Sequence, residues 1–471
     1  MKLFLRQAAV FLLAAVFLFL PCAAQAALTV KNVRYGDYAE KTRVVLDINE
    51  NVTLAEPAGF GKRIALEIGP GAVGEDVKDI ILSGRLLRQV KLFKIKDGRL
   101  LLDIMLDEET AYSAFVLKEP WRIVVDIFKN YDIKNEETIA PGLVYTNIRR
   151  RAGGRALKMH YLTVDKSLWN IRPAMANRET LRRDSLKNII YDNNAAAGIN
   201  ASYFDYDGWV IGNLKINGEI IAGEERERTA LLIYRDEGME FSLSAYCAQI
   251  VLPDKTVLPV KGVNRVRLAD DLVVYESSFA RRVKASQPGC NVIIDQGGKV
   301  LALDFTGDAV CENDQIIISG HGTAAGHLSA LSPGDTVIFS QSMGEMADEA
   351  AHVLGAGPRL VDTGRIVAGS NPEGFPPDIM SGRAPRTAVG INGRGDVVLF
   401  VADGRSKESV GLTLWEAAEE LLAFGVVEAM NLDGGGSSEM VIGSQVMNSP
   451  SDKQERKISV ALAVVSKPPE P

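Results

Sequence analysis

The stretch NLDGGGSSEM, Asn431 to Met440, decides the local fold at the C-terminal end of this chain. An apolar run, Val426 to Leu432, delivers Asp433 into three consecutive glycines, followed by Ser437, Ser438 and Glu439. Each glycine loses more backbone entropy on folding than any other residue, so a triplet is kept where the main chain turns sharply or a ligand comes close. The pattern predicts a strand ending near Asp433, a sharp Gly turn, and a second strand in SSEMVIG. Unhindered Gly amides can form a concave anion site to which Ser437 and Ser438 add hydroxyls. The alternative is a tight turn that binds nothing. No Gly-Lys-Ser/Thr follows and no helix opens after the glycines, which excludes a Walker loop and a dinucleotide fingerprint.

Just upstream, RTAVGIN (386–392) and VVLFVA (397–402) are apolar strands joined by Gly393-Arg394-Gly395-Asp396, in hairpin register. Arg386 stands at one edge and Asp403 at the end of the second strand. Thr413 and Glu416 form a capping box for a helix through Phe424, which Gly425 ends. Asp403 and Asp433 thus both lie at strand C-termini, separated by a helix, an order that brings both to one sheet edge.

A second gathering of polar groups is GINASYFDYDG (198–208), with Asn200, Ser202, Asp205 and Asp207 around Tyr203, Phe204 and Tyr206. Aromatic faces and short hydrogen-bonding side chains suit a sugar, whose C–H faces stack while its hydroxyls need partners. An Asx-rich turn over a small aromatic core is the plainer reading. Residues 178–192 carry an amphipathic helical pattern, and GNLKINGEII (212–221) a hairpin turning at Asn217-Gly218. His321 and His327 are six apart, without the i, i+4 spacing of a zinc protease. Arg359, beside Pro358, is a candidate anion contact or a surface loop residue.

Residues 28–130 read as a small all-β domain: TRVVLDI (42–48), KRIALEI (62–68), VKLFKI (90–95), RLLLDIML (99–106) and WRIVVDIF (121–128) alternate or run apolar between Gly- or charge-rich breaks. Residues 131–143 are the expected linker, 144–466 the larger domain and 467–471 a tail. The fold class expected is α+β: a small β domain, then a strand-rich domain with a few helices packed on mixed sheet.

At 471 residues the chain holds about two to three domains. A net charge of −7 argues against general nucleic-acid binding, which needs a basic field. Lys2 and Arg6, an apolar run from Ala8 to Leu20, and Ala24-Gln25-Ala26 read as a signal peptide over 1–26, implying export and no stable transmembrane anchor after cleavage. Cys22 lacks the small residue before it that lipidation requires. Cys247, Cys290 and Cys311 remain, an odd number, with Cys290–Cys311 the shortest loop that a pair would close.

Two stretches resemble known families. Thr42-Arg43-Val44-Val45-Leu46-Asp47 and Pro120-Trp121-Arg122-Ile123-Val124-Val125-Asp126-Ile127 resemble an AMIN domain, which implies attachment to the bacterial envelope and contact with peptidoglycan through residues 28–130. PRTAVGINGRGDVVLFVADGR, GLTLWEAAEELLAFG, AMNLDGGGSSEM and GINASYFDYDG together resemble the phosphodiester glycosidase family over roughly 144–466. That resemblance implies hydrolysis of a sugar 1-phosphate diester at the glycosidic carbon, here in envelope or exopolysaccharide material. An oxocarbenium-like transition state needs a carboxylate, for which Asp433 comes first, then Asp403 and Asp205. A leaving phosphate needs positive charge and amide donors, expected from Arg386 and from Gly434, Gly435 and Gly436. Asn200, Tyr203, Phe204, Thr387, Asn431, Ser437, Ser438 and Glu439 complete the expected substrate contacts. Glu439 ranks low for catalysis, because strand alternation can point it away from Asp433. A divalent cation such as calcium is a candidate cofactor without an EF-hand loop to hold it. The rival is a non-catalytic glycan or sugar-phosphate binding protein of the envelope.

Overall fold

The computed structural model describes residues 28–467, apart from 56–57, 84, 177–182, 277–282, 284–287, 308, 311 and 313. The expected leader over 1–26, the tail beyond residue 467, Cys311 and the start of the 178–192 helical pattern lie outside the described residues.

The chain forms two compact units, residues 1–129 and 130–471. In the first, the strands Ala58–Val73, Leu28–Asp37, Lys41–Ile48, Arg122–Phe128 and Arg99–Leu117 pair in that order, and Ala58–Val73 pairs again with Arg99–Leu117. The ring therefore closes on itself, which leaves those strands no open edge. Alternate residues such as Leu46, Leu66, Leu102, Ile104 and Ile127 fill the core. Arg43 and Asp126, both from the family-like motifs, are cross-strand partners on this barrel. The Arg43 guanidinium donates to both Asp126 oxygens at 2.6 and 2.8 Å and holds that carboxyl below its ordinary range.

The second unit is built on an eight-stranded sheet ordered Arg365–Ile366, Arg359–Asp362, Val426–Asn431, Arg386–Asn392, Val397–Ala402, Arg155–Val164, Leu143–Ala152 and Tyr131–Ala140. Every recorded pairing in it is antiparallel. Val397 to Ala402 is buried at every position, because both faces are covered. Leu399, Val401, Val389 and Met430 face one core, shared with Ile199, Leu462 and Val464 of a five-stranded sheet. Phe400, Val398 and Ala388 face a second core under the helix Leu414–Ala423. Each such fully buried aliphatic side chain contributes roughly 1.5–3 kcal/mol. The helix starts at the expected capping box: Thr413 Oγ1 accepts from the Glu416 amide at 3.1 Å and the Thr413 amide donates back to Glu416 at 3.0 Å. It ends before Gly425, at φ 95°. A ten-stranded sheet carries the middle of the chain, and its hairpin turns at Asn217 and Gly218, both at positive φ.

Two expectations are corrected. The fold is nearly all-β, 53% strand and 8% helix, rather than α+β. The described helices run from 4 to 10 residues and bridge strands, too short to form a layer, and the sheet under the longest is antiparallel, not mixed. Residues 131–143, expected as a linker, contain the edge strand Tyr131–Ala140 paired to Leu143–Ala152. Its polar composition reads as a linker because an edge strand with a solvated face can carry Lys, Asn and Glu.

Candidate active site

The antiparallel order of three strands assembles the site. Arg386–Asn392 lies between Val397–Ala402 and Val426–Asn431, antiparallel to both. The outer two therefore run the same way and finish at the edge where the middle one begins, bringing together Asp403, Asp433, Arg386 and Thr387. The strand Ala197–Asn200 of the five-stranded sheet reaches this edge through one fully buried side chain. Asn200 accepts from the Thr387 hydroxyl at 2.8 Å and the Glu439 amide at 3.1 Å, and donates to the Asp433 carbonyl at 2.5 Å. The Asp433 amide in turn donates to the Ala201 carbonyl at 2.9 Å. Asn200 thus ties the strand that enters the glycine triplet to the one that leaves it.

Asp433 is half-buried at the mouth of this junction. Burial pushes its carboxyl up to about 6, while the Ser437 hydroxyl, the Gly434 amide at 2.9 Å and the charge of Arg456 draw it down. The glycines let this happen. Gly435 has φ 62°, and a Cβ there would stand 3.1 Å from the Arg405 guanidinium. A Cβ on Gly436 would overlap the Arg456–Asp452 ion pair. Two exposed arginines therefore crowd the triplet.

Glu439 is 2% exposed, and its Oε1 has no hydrogen-bond partner. Burial, reinforced by Glu455 and opposed by Lys187, pushes it up to about 7. Asp403 is buried with Oδ1 held by Asn448 Nδ2 at 3.1 Å and the Ser449 amide at 2.9 Å, while Oδ2 faces His160 Nε2 at 3.7 Å. The other His160 nitrogen meets the Tyr145 hydroxyl at 2.8 Å. Asn448 also donates to the Ser438 carbonyl at 3.0 Å, linking the Asp403 wall to the glycine turn. Asn431 Nδ2 donates to the Tyr203 hydroxyl at 2.9 Å, and that hydroxyl donates to the Gly357 carbonyl at 3.0 Å. Buried Ser202 Oγ, Ser438 Oγ, Asn431 Oδ1, Glu439 Oε1, Asp403 Oδ2 and His160 Nε2 all lack a hydrogen-bond partner. Buried polar atoms are satisfied in the great majority of cases, so this concentration on one set of strand ends marks a site built for polar chemistry.

Several expected roles move. Arg386 is buried, its guanidinium spent on the carbonyls of Leu412, Ile379 and Gly382 at 3.0–3.1 Å, and burial depresses its ordinary pKa. It anchors the 379–386 loop instead of standing open to an anion. The Gly434 amide goes to Asp433 and the Gly435 amide to the Pro385 carbonyl, so neither is a free phosphate donor. Asp205 Oδ1 accepts the Asp207 and Trp209 amides, both at 2.9 Å, as a turn cap. Phe204 packs toward the cluster under the helix Leu186–Asp192, on the side of its strand opposite Tyr203. Arg359 bonds Glu428 and lies over Phe241. Among the described residues no group of three His, Cys, Asp or Glu side chains gathers as for a metal ion, and no helix is long and apolar enough to cross a membrane.

Sequence reading missed Arg405, Arg456, His160 and Asn448. Arg405 carried a weak signal as the last residue of the Asp403-Gly404-Arg405 element. The others sit on a different strand or a loop with no local pattern, and only the packing brings them in.

Residues 273–465 match the phosphodiester glycosidase family. Over 67 residues the chain is 49% identical to the human N-acetylglucosamine-1-phosphodiester alpha-N-acetylglucosaminidase, 14% of this chain and 13% of that protein. Over 80 residues it is 36% identical to the SPbeta prophage-derived uncharacterized protein YomE of Bacillus subtilis, 17% of this chain and 12% of that protein. The chain spans about an eighth of the length of these curated relatives. Among solved structures, a hypothetical protein from Synechocystis superposes with a TM-score of 0.67 at 20% identity, covering 94% of this chain and 81% of that one. A Burkholderia pseudomallei protein does so at 0.58 and 17%, covering 92% and 96%. These two share the fold.

Proposed function

We propose that the chain hydrolyses the glycosidic bond of a sugar 1-phosphodiester, with Asp433 as the carboxylate facing the sugar carbon. The observation that carries this reading is a half-buried carboxyl pushed up to about 6, beside two arginines, at the end of a strand within the family-matched region. Once ionised, Asp433 stabilises the oxocarbenium-like transition state or attacks the anomeric carbon. Arg405 and Arg456 take the charge that accumulates on the departing phosphate, a task for which the Gly434 and Gly435 amides are already engaged. Glu439, neutral up to about pH 7, is the proton donor. A phosphate leaving group is already acidic, so this donor supplies less than it would for an alkyl glycoside.

The chain acts outside the cytoplasm in this reading, on envelope or exopolysaccharide material, with residues 28–130 contacting peptidoglycan. The decisive experiment is a panel of sugar 1-phosphate diesters, nucleotide sugars included, incubated with wild type and Asp433→Asn. Sugar release by wild type alone supports the assignment, and release by neither removes it. A peptidoglycan pull-down with the full chain tests the targeting claim, and an absence of retention removes that claim.

A further inference from the structure

Apart from the catalytic edge, the 130–471 unit holds a cleft of about 740 Å³ that neither Asp433 nor its arginines line. The two are joined by one small hairpin. Tyr203, bonded to Asn431 at the site, pairs across it with Ile211, so the two side chains share a face, and Ile211 lines the cleft. The turn of this hairpin is fixed by the two amides that Asp205 accepts, and Asp205 and Trp209 line the cleft with it.

The lining is chemically specific. Trp209 packs partly on the core yet borders the cleft, and Ile211 and Leu268 leave 41% and 57% of their surface exposed there. Around these apolar faces stand three carboxylates, Asp205, Glu224 and Glu225, and three cations, Arg226, Lys261 and Arg265. The formal charges cancel, and Arg265 is already paired with Asp271. A run of phosphates finds no net attraction in such a cleft. An uncharged sugar chain fits: its C–H faces cover Trp209, Ile211 and Leu268, and its hydroxyls meet the acids and bases around them. The volume lies within the range of sites that enclose small ligands and exceeds what one sugar ring fills.

We infer that this cleft binds neutral sugar residues flanking the scissile linkage, making the substrate a phosphodiester-containing glycan and not a lone sugar phosphate. The inference deepens the hydrolase reading and rests on it for the word substrate, whereas binding of neutral saccharide stands independently. Leu268→Asp tests it, since Leu268 is exposed and outside the proposed catalytic groups. Trp209→Ala, which removes the fluorophore at the cleft, is the second variant and is read by the KM comparison alone.

Intrinsic tryptophan fluorescence of the full chain is titrated with chitotetraose and maltotetraose up to about 10 mM, where weak saccharide binding of millimolar Kd is read out. Saturable change in wild type, weakened about tenfold or more in Leu268→Asp, is expected. In kinetics, Leu268→Asp raises KM for a phosphodiester-linked oligosaccharide about tenfold and leaves UDP-N-acetylglucosamine hydrolysis within about twofold. No saccharide response in wild type, an unchanged response in the variant, or equal loss on both substrates overturns the inference. Failure of wild type to cleave any diester overturns the hydrolase reading instead, and the titration still decides the cleft.

Discussion

Replacing Asp433 with asparagine should inactivate the protein and make it more stable, and the pH dependence of that gain is the sharper test. The Asp433 carboxyl has an ordinary value of 3.8 and is raised to about 6 in the fold. Between those values the folded chain keeps a proton that the unfolded chain has released, so stability falls as pH rises through the window and the penalty is complete above about 6. At about 1.4 kcal/mol per pH unit, the gap amounts to about 3 kcal/mol, an upper figure because the group is half-buried and some water screens it. Asparagine cannot ionise and keeps an oxygen for the Gly434 amide. Asp433→Asn should therefore raise unfolding free energy by about 2–3 kcal/mol at pH 8 and by close to zero at pH 3.5. Urea unfolding followed by tryptophan fluorescence reads this well, since Trp169, Trp209 and Trp415 all lie in the 130–471 unit. Turnover should drop about a thousandfold or more in the same variant. A pH-independent effect, or destabilisation at pH 8, would refute the view that Asp433 is held ionised at a cost to the fold.

Other consequences can be checked alongside. The kcat/KM profile should be bell-shaped, with an acid limb near 6 from Asp433 and a basic limb near 7 from Glu439, and Glu439→Gln should abolish the basic limb. Asn200→Ala strands the Thr387 hydroxyl, the Glu439 amide and the Asp433 carbonyl, so chemical unfolding should show a loss of about 2–5 kcal/mol. Gly435→Ala places a side chain at φ 62°, costing about 1–2 kcal/mol, and displaces Arg405, which inorganic phosphate inhibition should register as weaker binding. Thr413→Ala removes one half of the capping box and should cost about 1 kcal/mol by thermal melting without altering KM.

Much of the site's framework was legible locally. The hairpin of 386–402, the capping box at Thr413 and the turn at Asn217-Gly218 are short-range patterns, each satisfied by residues a few positions apart. Hydrophobic period and turn chemistry suffice for these. Arg386 is not the open anion contact expected of it, because the loop just before it and the distant Leu412 fold their carbonyls of residues 379, 382 and 412 onto its guanidinium, a convergence that no spacing signals. The α+β expectation fails because caps and amphipathic periods are local and legible in sequence, whereas the helices they mark are short single connections lying over antiparallel sheets and form no layer. Strand alternation ranks Glu439 low, but a three-residue 3-10 turn at Gly435–Ser437 lies between Asp433 and Glu439, which sits just before the strand Met440–Ile442. Alternation counted from Asp433 does not carry through such a turn.

By itself the sequence determined that Asp433 ends a strand and enters a glycine turn, that Asp403 ends another strand, and that short polar residues follow Asn200. Those are properties of adjacent residues, set by backbone sterics and periodicity. The tertiary structure alone decided which of these groups are buried, and burial is what pushes Asp433 to about 6 and Glu439 to about 7. It also decided that Arg405 and Arg456, and not Arg386, stand beside the triplet. Desolvation and long-range charge depend on every element packed around a group, and no local pattern encodes them.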